Sequence, residues 1–176
     1  RTLTASPLIS TVLLCGSAIQ IGGNDAQKKE ILPEIIAGET IMALALEEQP
    51  HHAPTQISCQ AEKASAGYVI SGEKRFVFDG HVADRLIVVA RTSGNPGDSA
   101  GITLFLVDSK TAGITITRTW MVDSRNAANI KFENVEVDAS AVIGEVDKGS
   151  ETLDKVLDIG RIGIAAEMLG SVQEVF

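Results

Sequence analysis

The hydrophobic pattern of residues 41–146 has a period of two, and this feature constrains the fold more than any other. Seven short segments rich in β-branched residues follow one another there, separated by turns that contain glycine. No helical pattern lies between them, whereas the parallel strands of a doubly wound sheet need helical crossovers. We therefore predict an antiparallel β-barrel or sandwich with strands at 41–46, 56–63, 68–78 (kinked at Ser71-Gly72), 85–91, 102–107, 114–119 and 130–137.

Helical patterns precede this β-rich stretch. Within residues 1–40, Ser6-Pro7 has the residue types of a helix start, and Asn24 with Gln27 three positions later has the pattern of a capping box. Pro33 is expected to break or bend the second helix because proline has no backbone N–H. Two helices are therefore predicted before the first strand.

A third helix is predicted after the β-rich stretch. From Gly149 onward apolar residues recur at steps of three and four, and Glu151 lies where it complements the positive end of a helix. The predicted fold class is α+β, a β domain flanked by helices. Because the chain starts at Arg1 and its last segment is still helical in pattern, we expect a piece of a longer protein.

The composition excludes several classes of function. Fifteen Lys and Arg stand against 23 Asp and Glu, a formal net charge of −8, so a nucleic-acid partner is disfavoured. The most apolar stretch, residues 8–21, is too short and too polar to cross a bilayer, so no membrane association is expected. Cys15 and Cys59 match neither a metal site nor a disulfide framework, which predicts reduced thiols in a cytoplasmic protein.

Few catalytic motifs are present. The sequence has no glycine-rich phosphate loop and no G-x-S-x-G nucleophile elbow. Glu47-Glu48 followed by His51-His52 offers ligands for zinc or iron, but consecutive histidines point in different directions, and we expect a solvated loop without a metal. Neighbouring residues of a strand face opposite sides, so at most one of the two glutamates enters any one pocket.

One charged pair stands out on the last predicted helix. Arg161 lies in an otherwise apolar segment, and Asp158, three positions earlier, is on a nearby face of the helix. A cation in such a segment needs an acceptor or water. Two interpretations remain open: an ion pair at a domain junction, or a part of a substrate site.

The order of the segments resembles the acyl-CoA dehydrogenase family. The similarity runs in unbroken order from about residue 20 to residue 176, and it is specific as a set although each fragment is weak alone. The matching segments are Q-K-K-E-I-L-P at 27–33, A-L-A-L-E-E at 43–48, G-Y-V-I-S-G-E-K at 67–74, G-I-T-L-F-L-V at 101–107, F-E-N-V-E-V at 132–137 and G-R-I-G-I-A-A at 160–166.

This resemblance implies an FAD-dependent enzyme that oxidises the α,β-bond of an acyl-CoA thioester and passes electrons to an electron-transfer flavoprotein. It also implies homo- or hetero-oligomers of like subunits. Residues 1–40 would end an N-terminal helical domain, 41–148 would form the middle β-barrel domain, and 149–176 would begin a C-terminal helical bundle. Some members carry a glutamate base at the position of Gly160, so the catalytic base is expected outside this chain.

The resemblance also implies which residues form the sites. Ala53 stands where the family has a serine that contacts CoA, and Asp158 and Arg161 are further candidates for substrate binding. The expected flavin wall departs from the family pattern, with a carboxylate and a phenyl ring where the family has threonines. Its residues are Leu44, Leu46, Glu47, Phe76 and Phe78.

These departures lead to competing hypotheses. The first is an active, divergent acyl-CoA dehydrogenase. The second is a catalytically silent, flavin-poor companion subunit, because the carboxylate of Glu47 would oppose the negative charge of reduced flavin. A weaker third hypothesis, a β-barrel binding module that stands alone, is disfavoured by the apolar faces of the flanking helices.

Overall fold

The chain folds into a β-sheet with helices before and after it, described here from a computed structural model. The structure describes residues 6–122 and 125–176, so the first five residues of the predicted N-terminal helical region lie outside it. The helices are a π-helix at Leu8–Gly16, α1 at Ser17–Gly22, α2 at Asp25–Ala37 and α3 at Gly149–Val175. None of the helices in the described residues has the length and hydropathy needed to cross a bilayer.

The sheet has eight strands in the described residues. They are β1 at Met42–Ala45, β2 at Gln60–Lys63, β3 at Gly67–Phe78, β4 at Arg85–Arg91, β5 at Ile102–Asp108, β6 at Ile114–Trp120, β7 at Asn126–Asp138 and β8 at Val142–Ile143. A short 3₁₀ turn at Ala139–Ala141 precedes β8.

Hydrogen bonds confirm the first two predicted helix starts, whereas α3 begins at Gly149 without a side-chain cap. The N–H of Leu8 donates to Ser6 Oγ at 3.2 Å. Asn24 Oδ1 accepts the N–H of Gln27 at 2.9 Å, and Gln27 Oε1 accepts the N–H of Asn24 at 3.0 Å, which completes the capping box. Pro33 does not break α2, which continues for another turn, because the missing N–H removes a single helical hydrogen bond.

The strand order confirms the α+β class and the sandwich form of the prediction. The order is β6-β7-β3-β2-β4-β5-β8, with β1 paired to β4. Since β6 and β8 stand at opposite ends of this order, the sheet stays open and does not close into a barrel. The predicted kink at Ser71-Gly72 is also confirmed, as a shift in the pairing register between β3 and β7.

Three details of the strand prediction are wrong. The strand predicted at 130–137 begins four residues earlier, at Asn126. Residues 56–59 are not part of β2 because several of their backbone groups bind side chains: Ser58 and Cys59 donate to the Glu48 carboxylate, and the Ile57 carbonyl accepts from the Arg91 side chain. The Cys59 carbonyl accepts the backbone N–H of Arg91 in β4. The two-residue strand β8, which pairs with β5, was too short to leave a periodic pattern.

Most strand pairs are antiparallel, as predicted, but β1 and β2 both pair with β4 in parallel, β2 through Gln60 and Arg91. Met42 is paired with Arg85 and Ala45 with Val88. A parallel pair needs a long connection, and β2 and β3 supply it in place of a helix. β5 pairs with one edge of β4, both β1 and β2 pair with the other, and residues 86–90 of β4 are completely buried.

The last helix packs on the first one through two glycines. A Cβ at Gly160 would lie 2.7 Å from Leu14 Cδ2, and a Cβ at Gly163 would clash with Leu13. These glycines therefore let the backbone of α3 approach the π-helix closely, and the π-helix in turn packs on β1. Beyond this contact, every residue from 164 to 176 is exposed in the structure.

Gly101, in the turn before β5, lies where an added side chain would clash with the backbone. It has a φ of +83°, and a Cβ there would clash with the carbonyl oxygen of Ser93. We expect Gly101→Ala to lower the free energy of unfolding by about 3 kcal/mol, since the steric clash adds to the strain of a left-handed alanine. Chemical denaturation of the purified protein measures this difference.

Gly38 is the matched control for this substitution. It has a similar φ of +71°, but no atom lies within 4 Å of the position of its Cβ. Gly38→Ala is therefore expected to destabilise the protein by only about 1 kcal/mol. Equal losses of stability in the two variants would contradict the role of the Ser93 contact.

Candidate functional site

Two adjacent glutamates after β1 point to opposite sides, as predicted. Glu47 Oε1 lies 2.6 Å from His52 Nδ1, and Glu47 Oε2 accepts the N–H of Ala53 at 3.0 Å. Glu48 turns inward, where its carboxylate accepts the N–H groups of Ser58 at 2.7 Å and Cys59 at 3.0 Å. The carboxylates of Glu47 and Glu48 thus hold the segment 47–59, which begins with these two residues.

Lys74 of β3 completes the inner cluster. Its side chain is 0% exposed, and its Nζ donates to Glu48 Oε1 at 2.7 Å and to the Leu46 carbonyl at 3.0 Å. The pair neutralises two charges that the core would otherwise not tolerate. Burial raises the pKa of the neighbouring Cys59 thiol to about 11, with Lys74 lowering it and Glu48 raising it. The thiol therefore stays protonated at neutral pH.

Arg91, at the end of β4, holds the same segment from the other side. Its guanidinium is buried and donates to five carbonyl oxygens, at distances of 2.9–3.2 Å. Two of these carbonyls, Thr55 and Ile57, belong to the segment after β1, and the other three belong to the β4–β5 loop: Ser93, Asp98 and Ala100. Arg91 thereby fixes two loops against each other.

An aromatic pair lies beside this segment, at the end of β3. Phe76 is 38% exposed and Phe78 is 47% exposed, while Val77 between them is buried. The N–H of Arg75 donates to the Glu47 carbonyl at 2.7 Å, which places the aromatic pair next to the end of β1. We call the surface formed by Phe76 and Phe78 the aromatic face.

The other predicted flavin-wall residues lie differently. Leu44 and Leu46 are buried in the hydrophobic core, and Leu44 is in register with Ile87 of β4. Glu47 lies beside the aromatic face, but its carboxylate binds His52 and Ala53. The structure thus brings Leu46 and Glu47 to the end of β3 and leaves Leu44 beneath the surface.

The predicted substrate residues are divided between two places. Ala53 lies in the loop held by Glu47. Arg161 Nη1 donates to Asp158 Oδ1 at 2.5 Å, and both side chains are exposed on α3. The ion pair that the spacing suggested is therefore present. Among the described residues, no hydrogen bond or ion pair connects it to the Ala53 loop.

A cleft of about 390 Å³ lies elsewhere, between α2, β5 and the end of β7. Gln27, Asp108 and Asp138 are among its lining residues, and the predicted site residues are not. Its size alone does not make it the functional site, because the resemblance and the exposed aromatic pair both point to the end of β3. Across the described residues, no three His, Cys, Asp or Glu side chains are grouped as a metal site would require.

Sequence reasoning missed three residues that shape this region. Lys74 and Arg91 each occupy an inward-facing position of a strand. Because a buried cation needs an acceptor, a Lys or Arg at such a position indicates that a buried acceptor faces it. Asn129, opposite Phe76 on β7, carries no comparable signal because it belongs to an ordinary alternating strand.

Comparison with known proteins identifies the family of this chain. The family model described as "Acyl-CoA dehydrogenase, middle domain" matches residues 45–135. A 3-(aryl)acrylate reductase of Clostridium sporogenes is 34% identical over 165 residues, which cover 91% of this chain and 43% of that protein. The chain thus spans about two fifths of this relative's length.

Solved structures superpose over nearly the whole chain. The butyryl-CoA dehydrogenase of Megasphaera elsdenii has a TM-score of 0.86 at 32% identity, over 93% of this chain and 44% of the other. A chain in a structure of the electron transferring flavoprotein of Acidaminococcus fermentans has a TM-score of 0.85 at 28% identity, over 93% and 44%. Together with the family match over more than half of its residues, these similarities identify the chain as a divergent member of the acyl-CoA dehydrogenase family.

Proposed function

We propose that this chain belongs to an FAD-dependent enzyme that oxidises the α,β-bond of an acyl-CoA thioester. The observation that carries the proposal is the solvent-facing aromatic pair Phe76 and Phe78, placed at the end of β3 where the family resemblance puts one wall of the flavin site. We also propose the division into the end of a helical domain at 1–40, the middle domain at 41–148 and the start of a helical bundle at 149–176. The apolar side chains that α3 exposes support this division.

The residues of the aromatic face fit a flavin on one side. A flat apolar ring system packs well on exposed phenyl rings, and such contacts add about 1 kcal/mol beyond the area they bury. When bound, FAD would supply the acceptor for the hydride that leaves the acyl chain. The protein's part is to orient the ring and exclude water from it, and Phe76 and Phe78 would do so on this side.

Glu47 is compatible with a flavin at the aromatic face because its carboxylate binds groups of its own loop. Its two carboxylate oxygens are occupied by His52 and by the N–H of Ala53. In this position the carboxylate holds the loop that carries Ala53, which we propose as a part of the CoA site, with Asp158 and Arg161 as further substrate residues. The proposed partners are an acyl-CoA, an electron-transfer flavoprotein and other subunits of the same kind.

The catalytic base is proposed to lie outside this chain. At Gly160, the position at which some relatives carry a glutamate, an added Cβ would lie 2.7 Å from Leu14 Cδ2 of the π-helix. A carboxylate at this position would have to displace that contact. The α-proton would therefore be removed by a residue that these 176 positions do not include.

The test is flavin uptake and reduction by the full-length protein. We expect the purified protein to carry FAD and its absorption band to bleach when acyl-CoA substrates are added without oxygen. Phe76→Ala should weaken FAD binding about tenfold, the loss of roughly 1.4 kcal/mol of ring contacts. Trp120→Ala is the matched control, because Trp120 is an exposed aromatic residue on β6, outside the aromatic face.

A colourless but folded protein would contradict the proposal and favour the companion-subunit hypothesis. Glu47 gives that second candidate its physical basis, since the resemblance places a threonine there that donates a hydrogen bond to the flavin, whereas a carboxylate can only accept. In that case Glu47→Thr should restore FAD binding. Failure of the parent protein and of this variant to bind FAD would exclude a flavin site at the aromatic face.

A further inference from the structure

A β-bulge sets the orientation of the aromatic face. Lys74 lies opposite Ile130 and Val77 lies opposite Ala128, so positions 75 and 76 of β3 both face position 129 of β7. The extra residue lets Lys74 and Val77 both point into the core, although they are three positions apart. Bulges of this kind re-aim side chains and are frequent beside active sites.

Phe76, the second residue of the bulge, has a strained backbone. Its φ is +51°, in the left-handed region that bulky residues rarely occupy. This conformation is unfavourable for a residue with a Cβ, which comes too close to the following carbonyl oxygen. It turns the phenyl ring outward, so that Phe76 and Phe78 are both exposed. Strain of this kind persists only where neighbouring groups hold it in place.

Asn129 is the group that holds it. Its Oδ1 accepts the N–H of Phe76 at 3.2 Å, so the side chain of the residue opposite the bulge bonds to the strained residue itself. The side chain of Asn129 is otherwise exposed on β7. The bond is therefore local to the bulge and acts directly on the residue that carries the ring.

A second bulge in the same strand pair provides an internal comparison. There the extra residue is on β7, Asn134 has a φ of +52°, and its N–H donates to Ser71 Oγ at 3.3 Å. The same arrangement thus occurs twice. At the second bulge the strained residue is an asparagine, which tolerates this conformation, whereas at the first it is a phenylalanine, which does not.

We propose that Asn129 is a positioning residue for flavin binding, one that fixes the Phe76 ring in its flavin-facing orientation through the Phe76 N–H. This inference rests on the proposed function. It assigns a role to a side chain that would not touch the flavin and that the sequence does not mark.

The test compares three variants of the full-length protein. Asn129→Leu removes the acceptor, Asn129→Asp keeps an oxygen at the same place, and Ser71→Ala removes the equivalent bond at the second bulge. We expect Asn129→Leu to raise the Kd for FAD about threefold, less than the tenfold of Phe76→Ala because the ring is still present, and to speed hydrogen exchange of the Phe76 N–H. Asn129→Asp should stay close to the parent in both. Ser71→Ala should leave the Kd for FAD unchanged, although it should lower the free energy of unfolding about as much as Asn129→Leu does.

The outcomes separate this inference from the proposed function. A parent protein that binds no FAD contradicts the proposed function. If the parent binds FAD but Asn129→Leu binds it equally tightly, or if Asn129→Asp loses as much affinity as Asn129→Leu, the positioning role is wrong. The role is also wrong if Ser71→Ala weakens FAD binding to the same extent, because the effect would then reflect general destabilisation of the β3–β7 pair.

Discussion

Replacing Lys74 with methionine is expected to lower the free energy of unfolding by about 4 kcal/mol. Lys74 is completely buried, and its Nζ is the cation that faces the carboxylate of Glu48. Methionine fills a similar volume but leaves the carboxylate buried without its counter-charge, and breaking such a pair by removing one partner costs about 3–5 kcal/mol. Urea denaturation followed by circular dichroism measures the loss.

Two further variants test the cause of this effect. Lys131→Met is the matched control, because Lys131 forms an exposed ion pair with Glu133, and such pairs contribute less than about 1 kcal/mol. The double variant Lys74→Met/Glu48→Gln should recover part of the stability, since glutamine keeps an oxygen for the N–H groups of Ser58 and Cys59 without a charge. A double variant no more stable than Lys74→Met would contradict the charge argument.

The second large effect is expected at Arg91. Arg91→Met would leave five carbonyl oxygens without their donor, and at about 1 kcal/mol for each bond we expect a loss of about 4–5 kcal/mol. Arg91→Lys should recover only a part, because an ammonium has three donors and lacks the planar arrangement of the guanidinium. Thermal and chemical unfolding measure the stability of both variants.

Amide hydrogen exchange can show which parts of the chain lose protection when Arg91 is replaced. In Arg91→Met we expect faster exchange at residues 53–59 and 92–101, the two loops that Arg91 joins, and unchanged exchange in β7. Arg118→Met is the control, since Arg118 stacks on Trp120 at the surface and its removal should cost below about 1 kcal/mol. If exchange rises equally across the whole sheet, Arg91 supports global stability and does not specifically hold the Ala53 loop.

Local patterns predicted most of the elements. The capping box at Asn24 and Gln27 acts within four residues, and the helix that starts at Gly149 follows from apolar steps of three and four. The strand prediction failed at 56–59, where the alternation was present but the backbone groups bind Glu48 and Arg91. A periodic pattern records which side chains can be buried, but not which partner a backbone N–H will find.

The candidate site was predictable only in part, for a related reason. The resemblance pointed to Phe76 and Phe78, and both are exposed next to the end of β1. It also pointed to Leu44, which is buried, and to Asp158 and Arg161, which bind each other on α3. Alignment by motif gives a residue's place along the chain, whereas exposure depends on what packs against it.

The amino-acid sequence by itself determined the helix and strand periodicities, the helix caps and the family, because each of these depends on residues that are near one another in the chain or on their order. Only the tertiary structure decided that Lys74 meets Glu48, that Arg91 joins two loops, and that Asn129 faces Phe76 across a bulge. The bonds from Lys74 to Glu48, from Arg91 to Thr55 and from Phe76 to Asn129 join residues 26, 36 and 53 positions apart. The pairing of the strands, rather than any local preference, brings these residues within hydrogen-bonding distance.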